Sequence, residues 1–111
     1  KNLSNNFLWI EFTSFFGNPT SSSDYNYICE KFDWIFISDF ILCDDDSIDL
    51  VRRFISFVDI AYMKKSKVKF FSTNIELPSL YVGKKIDNLW VRCSSRLKEM
   101  QNQEYFFQDK F

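Results

Sequence analysis

Residues 34–71 read WIFISDFILCDDDSIDLVRRFISFVDIAYMKKSKVKFF, and this stretch decides the fold. It begins with an apolar run at 34–37 that is typical of a parallel strand buried on both faces. An acidic run then precedes a helix predicted over 48–64, whose apolar residues cover most of its circumference, as in a helix within a core. A second inner strand is predicted at 68–71. Strand, helix and strand together predict a βαβ unit with parallel strands and a right-handed crossover.

The sequence on either side of this unit predicts further elements. Before it, aromatic and β-branched residues at 7–12 favour a strand followed by a turn, and serine caps with apolar spacing favour a helix at about 23–32. After it, Pro78 opens a short helical turn and a polar loop covers 83–88. Apolar residues at helical spacing then predict a last helix at about 90–102. The predicted fold class is α/β, a small layered domain built on the βαβ unit.

Composition limits the chemistry that this chain can perform. Its 111 residues suffice for one small domain, so the whole of 1–111 is predicted as a single segment. The net charge of −1 argues against a nucleic-acid partner, and no apolar run is long enough to span a membrane. The absence of histidine excludes Ser-His and Cys-His catalysis. Three widely spaced cysteines predict neither a zinc site nor a disulfide framework and favour a reducing intracellular compartment.

The arginines are the most informative residues, because the chain otherwise uses lysine for positive charge. They occur as two close pairs: Arg52, Arg53, Arg92 and Arg96. In one interpretation they pair with acids such as Asp59, Asp39 or Glu99 and hold the long helix against the last one. In the other, at least one of them binds an anion such as a nucleotide phosphate, for which the planar guanidinium is well suited. Arg92 and Arg96 are like charges one helical turn apart, so an acid or an outside anion must offset their repulsion.

Two predicted inner strands end in polar residues, Asp39 after the first and Asn74 after the second. AAA+ ATPases place Walker B and sensor 1 in this way, so Asp39 and Asn74 are weak candidates for a nucleotide site. Walker B usually carries a second acid, and here Phe40 occupies that position. The acidic run at 44–46 lacks the spacing of a calcium loop and is interpreted as a solvated helix cap. No metal site is predicted, and the sequence contains no G-x-x-x-x-G-K-[ST] phosphate loop.

Taken in order, the motifs form a recognisable set. They are SDY at 23–25, FDWIFI at 32–37, VRRFISFVD at 51–59, PSLY at 78–81, RCSSRLKEM at 92–100 and EY at 104–105. This set, from about Phe7 to Tyr105, resembles the C-terminal part of the AFG1-like ATPases. Val51, Met63 and Cys93 stand where the family pattern has alanine, aspartate and threonine, and Val91 replaces a usual polar residue.

The resemblance implies a segment of a larger P-loop ATPase of AAA+ type. The family's Walker A, Walker B and sensor 1 would then precede Lys1, and the Asp39 and Asn74 pattern would only echo them. ATP and Mg²⁺ are expected through the parent protein, which would form a homo-oligomer and couple ATP turnover to the handling of protein substrates. Arg92 and Arg96 would reach a nucleotide or a neighbouring subunit, and mitochondria are the expected location. The alternative is a non-catalytic α/β protein-interaction module.

Overall fold

A three-stranded parallel sheet forms the base of the structure, a computed structural model that describes residues 6–72 and 75–101. Its strands are β1 (Phe7–Glu11), β2 (Trp34–Ser38) and β3 (Val68–Phe70). They lie side by side in the order β1-β2-β3, and both neighbouring pairs are parallel. The predicted βαβ unit is confirmed, and the predicted strand at the N-terminal end joins the same sheet.

Among the described residues, four α-helices accompany the sheet: α1 (Phe12–Phe16), α2 (Ser22–Lys31), α3 (Ile48–Lys64) and α4 (Asp87–Met100). Short 3-10 turns at Asp45–Ser47 and Leu77–Ser79 precede α3 and α4. Local residue types explain the ends of the predicted helices. The backbone N–H of Ser21 donates to the Asp24 carboxylate at 2.9 Å and so caps α2. At the other end of α3, Lys65 takes a left-handed conformation (φ 54°) that terminates the helix.

Several boundaries differ from the sequence prediction, most of them by one residue. The predicted strand over 7–12 was one residue too long, because Phe12 already begins α1, a five-residue helix that the sequence analysis missed. Its two buried residues, Phe12 and Phe16, are four apart and point into the core, but so short a helix shows no repeated apolar period. Helix α4 begins at Asp87, three residues earlier than predicted, and residue 102 lies outside the described residues.

The hydrophobic core lies between α3 and one face of the sheet. That sheet face consists of fully or largely buried residues: Ile10, Ile35, Ile37, Val68 and Phe70. Helix α3 buries six residues against it and against its neighbours: Val51, Phe54, Ile55, Phe57, Val58 and Ala61. Helices α2 and α4 both pack on α3. The prediction that α3 lies within a core is therefore confirmed.

The opposite face of the sheet corrects a prediction. Strand β2 was expected to be buried on both faces, yet Trp34 and Phe36 are only half-buried there. The three strands lie in the sheet in the same order as in the chain. Crossover connections of the same hand between such strands place α2 and α3 on the same side of the sheet. Helix α4 packs on α3 and on the Leu77–Ser79 turn. Within 6–72 and 75–101, no helix covers this second face, and none is long and apolar enough to cross a membrane.

Candidate functional site

Arg96 joins the two long helices. Its guanidinium forms an ion pair with Asp59 on α3 and lies over the ring of Tyr62, with its Cζ atom 5.0 Å from the ring centroid. Tyr62 in turn donates a hydrogen bond to Glu99 Oε1 at 2.8 Å, back on α4. The acid that offsets the like charges of Arg92 and Arg96 is therefore Asp59. For Arg96 the structure shows the helix-pinning ion pair of the first sequence interpretation.

Arg53 has a different partner. Its Nη1 atom donates to the backbone carbonyl oxygen of Phe16 at 3.0 Å. Phe16 is the last residue of α1, where carbonyl groups lack partners within the helix, so Arg53 satisfies one of them with a cation. Nearby, burial raises the pKa of the Tyr25 phenol, and the hydrogen bond with Thr20 and the charge of Arg53 partly offset this. Arg53 thus ties α3 to α1.

The remaining two arginines are exposed to solvent. Arg52 on α3 and Arg92 on α4 make no hydrogen bond or ion pair with any residue of the described ranges. Because Arg96 and Arg53 are already bound to other groups, Arg92 and Arg52 are the two whose guanidinium groups are available to an outside anion. The four arginines therefore divide into two that hold helices together and two that face solvent.

Asp39 follows β2 directly and is exposed, with a positive φ of 63°. Its carboxylate accepts a hydrogen bond from Ser38 Oγ at 2.9 Å, and Ser38 Oγ accepts one from Trp9 Nε1 at 2.8 Å. The segment after β3 leaves the sheet at the same edge, because β2 and β3 are parallel neighbours. Asn74 lies outside the described residues, so the pairing with Asp39 stays a prediction.

The three cysteines have free thiols. Burial raises the pKa of Cys43 to about 11, and burial raises the pKa of Cys93 further still. Burial also raises the pKa of the half-buried Cys29. Since the thiolate is the reactive form, these thiols are poor nucleophiles at neutral pH. Among the described residues, no group of three or more Asp, Glu, Cys or His side chains is arranged to hold a metal ion.

A polar network that was not predicted from the sequence precedes α4. The Asp45 carboxylate accepts hydrogen bonds from the backbone N–H groups of Lys84 at 3.1 Å and Lys85 at 3.2 Å. It also accepts one from the hydroxyl of Tyr81. Asp45 belongs to the acidic run that was interpreted only as a solvated cap. That interpretation holds for Asp44, whose side chain accepts from the backbone N–H of Asp46 at 3.0 Å.

Gly83 leaves the space in which this network forms. A Cβ atom added at Gly83 would lie 2.3 Å from Asp45 Oδ1 and 2.6 Å from the Tyr81 hydroxyl oxygen, closer than real contacts allow. The network fixes the loop from which α4 starts, because the backbone N–H of Ile86 also donates to the Tyr81 hydroxyl oxygen at 3.2 Å. The isolated glycine in an otherwise glycine-poor chain was the only sequence signal for this close approach.

The Asp45 network should make the stability of the chain depend on acidity. The hydrogen bond from Tyr81 and then those from the backbone of Lys84 and Lys85 hold the pKa of Asp45 below its usual range. A group with a lowered folded-state pKa stabilises the fold above its unfolded pKa of about 4, and loses this effect as pH falls through the folded value. We therefore expect Asp45→Asn to lower the free energy of unfolding at pH 6, by a difference that shrinks below pH ~4. Urea unfolding followed by circular dichroism measures this.

Asp46→Asn is the matched control, since it removes a neighbouring exposed charge from outside the network. It should leave the free energy of unfolding nearly unchanged at pH 6 and at pH 3. A destabilisation by Asp45→Asn that is equal at pH 6 and pH 3 would contradict the assignment of its effect to the charged carboxylate.

Comparison with known proteins identifies the family. The sequence pattern of the AFG1-like ATPases matches residues 1–109. The chain belongs to the AFG1-like ATPase family. It is 31% identical over 101 residues to the cell division protein ZapE of Escherichia coli, covering 91% of this chain and 27% of ZapE. It is 30% identical over 78 residues to an uncharacterized protein of Schizosaccharomyces pombe, covering 70% of this chain and 17% of that protein.

The family assignment confirms the resemblance drawn from the ordered motifs. The chain spans about a quarter of the length of ZapE and less of the fission yeast protein. No solved structure gives a significant match. The small α/β domain with its parallel sheet is therefore the described part of an AFG1-like ATPase family member.

Proposed function

We propose that this chain is part of an ATP-hydrolysing AFG1-like ATPase of the AAA+ type that couples ATP turnover to the handling of protein substrates. The observation that carries the proposal is the family match over residues 1–109. The chain itself contains only two glycines, Gly17 and Gly83, and no G-x-x-x-x-G-K-[ST] loop. The phosphate loop that would bind ATP and Mg²⁺ is therefore expected in another part of the parent protein.

Within this proposal, Arg92 is the first candidate to reach a nucleotide or a neighbouring subunit, and Arg52 is the second. Both side chains are exposed and lack a partner among the described residues. A planar guanidinium can bind two phosphate oxygens at once and can stabilise the charge that develops during phosphoryl transfer. The Arg96–Asp59 ion pair supports this role indirectly, because it fixes α4 against α3 and so fixes the position of Arg92.

The remaining parts of the proposal rest on family membership alone. They are a homo-oligomeric parent, protein quality control as the process served, and mitochondria as the location. The relative in Escherichia coli is described as a cell division protein, so a role in division is the corresponding bacterial form of the proposal.

ATP turnover by the product of the complete reading frame tests the proposal. We expect that product to release phosphate from ATP in a Mg²⁺-dependent steady state, and the 111-residue chain alone to release none above background. The isolated chain is the matched control, because it contains every residue described here. A complete product with no phosphate loop, or one that binds no ATP, would contradict the ATPase assignment.

A non-catalytic protein-interaction module is the second candidate, and the half-exposed aromatic face of the sheet favours it. In that case Trp9→Ala, which removes an exposed ring from that face, would leave ATP turnover of the complete product unchanged and would weaken binding to a protein partner. The affinity of this variant for the protein partner, measured by titration calorimetry, and its phosphate-release rate together separate the two functions.

A further inference from the structure

The second face of the sheet is an ordered aromatic surface. Strand register places its residues in rows: Phe7 beside Trp34, then Trp9 beside Phe36 and Lys69, then Glu11 beside Ser38. Phe71 follows β3 and completes the third row. We call the five aromatic residues of these rows the aromatic face: Phe7, Trp9, Trp34, Phe36 and Phe71.

The aromatic face is held in a fixed geometry. Trp9 stacks on Phe71 with ring centroids 5.2 Å apart and an interplanar angle of 8°, and Trp34 stacks on Phe36 at 6.0 Å and 14°. The indole N–H of Trp9 donates to Ser38 Oγ at 2.8 Å, which fixes the orientation of the ring. Even so, 56% of Trp9 and 55% of Phe7 remain exposed to solvent. Little side-chain entropy would be lost if another surface covered these rings.

The topology explains why no helix within 6–72 and 75–101 covers this face. Both crossover connections place their helices on the core side of the sheet, and α4 packs on α3. Parallel sheets occur almost only with both faces covered, since each strand would otherwise expose an apolar surface to water. A contiguous exposed aromatic patch of this kind marks a surface that contacts another protein surface.

The charges near the aromatic face argue against a nucleic-acid occupant. Glu11, Lys69 and Lys67, which the same register places beside Trp34, are the charged residues in its rows, and together they carry a single net positive charge. The whole chain has a net charge of −1. Proteins that stack bases on aromatic residues of a sheet combine them with a positively charged groove, which this surface lacks.

We propose that the aromatic face is the interdomain surface on which the ATPase portion of the same polypeptide packs. This inference rests on the proposed function. About three-quarters of the length of ZapE lies outside the region that matches this chain, which covers 27% of it. A polypeptide of that length supplies the missing layer within the molecule, and tethering gives it an effective concentration in the millimolar range for a short flexible linker. The sheet is then covered on both sides, by α2 and α3 on one and by the ATPase portion on the other.

Cysteine labelling in the product of the complete reading frame tests this proposal. We would compare Trp9→Cys with Met63→Cys, a matched control on α3 that is 72% exposed, both in a Cys29→Ser background. The maleimide reaction is followed at each position by peptide mass spectrometry. We expect position 9 to react at least about tenfold more slowly than position 63, because burial under a packed domain limits reagent access to local opening events. Phe7→Cys provides a second reporter if Trp9→Cys impairs folding.

Each outcome decides the proposal. Equal reaction rates at positions 9 and 63 would overturn it, as would a complete reading frame that encodes nothing beyond this chain. If position 9 of the isolated chain becomes better protected as the chain concentration rises, the aromatic face binds a second copy of the chain. That result would also overturn the proposal. ATP turnover of the same preparation reports on the proposed function separately: protection without turnover supports the docking surface and contradicts the enzyme.

Discussion

Replacing Arg92 by alanine is expected to lower kcat for ATP hydrolysis by the complete protein about 10³- to 10⁵-fold, the range seen when an arginine finger is removed. The reason is that Arg92 is exposed on α4 and bound to no described residue, so its guanidinium is available to a phosphate. Its removal should leave the free energy of unfolding within about 0.5 kcal/mol of the wild-type value, as for other surface substitutions. Phosphate release at saturating ATP and urea unfolding of the same preparation measure the two effects.

Three variants serve as controls for this prediction. Lys98→Ala removes another exposed positive charge from α4 and should leave kcat unchanged. Arg92→Lys retains the charge but loses the planar fork, so most of the loss should persist. Arg96→Ala breaks the ion pair with Asp59. Because the Arg96 and Asp59 side chains are 26% and 32% exposed, the loss of the pair should cost on the order of 1 kcal/mol of stability after allowance for solvent screening. An Arg92→Ala enzyme with wild-type kcat would exclude Arg92 from the nucleotide site.

The local pattern was sufficient to predict the βαβ unit. Helix α3 can be predicted because its apolar residues recur at helical spacing over 17 residues, and the flanking stretches at 34–37 and 68–71 are apolar apart from Lys69. Parallel pairing follows, since a helix of that length between two strands can only be a crossover. The five residues of α1 contain too little repetition to be distinguished from the end of a strand.

Contacts between distant residues were beyond the reach of the sequence. Asp59, Asp39 and Glu99 were all apparent as candidate acids, but the packing of α3 against α4 decides that Arg96 binds Asp59. The Asp45 network joins residues about 40 positions apart, and nothing local to Asp45 indicates the amides of Lys84 and Lys85. The lack of a helix on the second face of the sheet, among the residues that the structure describes, depends on strand order and on the side taken by each crossover, which apolar runs do not specify.

Phe54→Ala should have the largest effect on stability, about 3–5 kcal/mol, the usual cost of removing a buried aromatic side chain. Phe54 is fully buried on α3, and its ring lies against four other aromatic rings. The centroid distances are 5.2 Å to Phe12, 5.4 Å to Phe16, 5.9 Å to Phe40 and 6.4 Å to Trp90. These neighbours belong to α1, to the segment after β2 and to α4, so no single element can move to fill the cavity. Urea unfolding followed by circular dichroism measures the loss.

Met63→Ala is the matched control on the same helix, since Met63 is 72% exposed and should change the free energy of unfolding by less than about 0.5 kcal/mol. A loss below about 1 kcal/mol for Phe54→Ala would contradict the placement of α3 at the centre of the core. Domains of this kind are stable by only about 5–15 kcal/mol, so the expected loss is a large share of the total.

Because the Phe54 ring also supports Trp90 on α4, the helix that carries Arg92 should loosen before the parallel sheet does. In the complete protein, Phe54→Ala should therefore lower ATP turnover in proportion to the fraction of chains in which α4 is loosened or unfolded, unlike Arg92→Ala, whose effect on kcat appears with the fold intact.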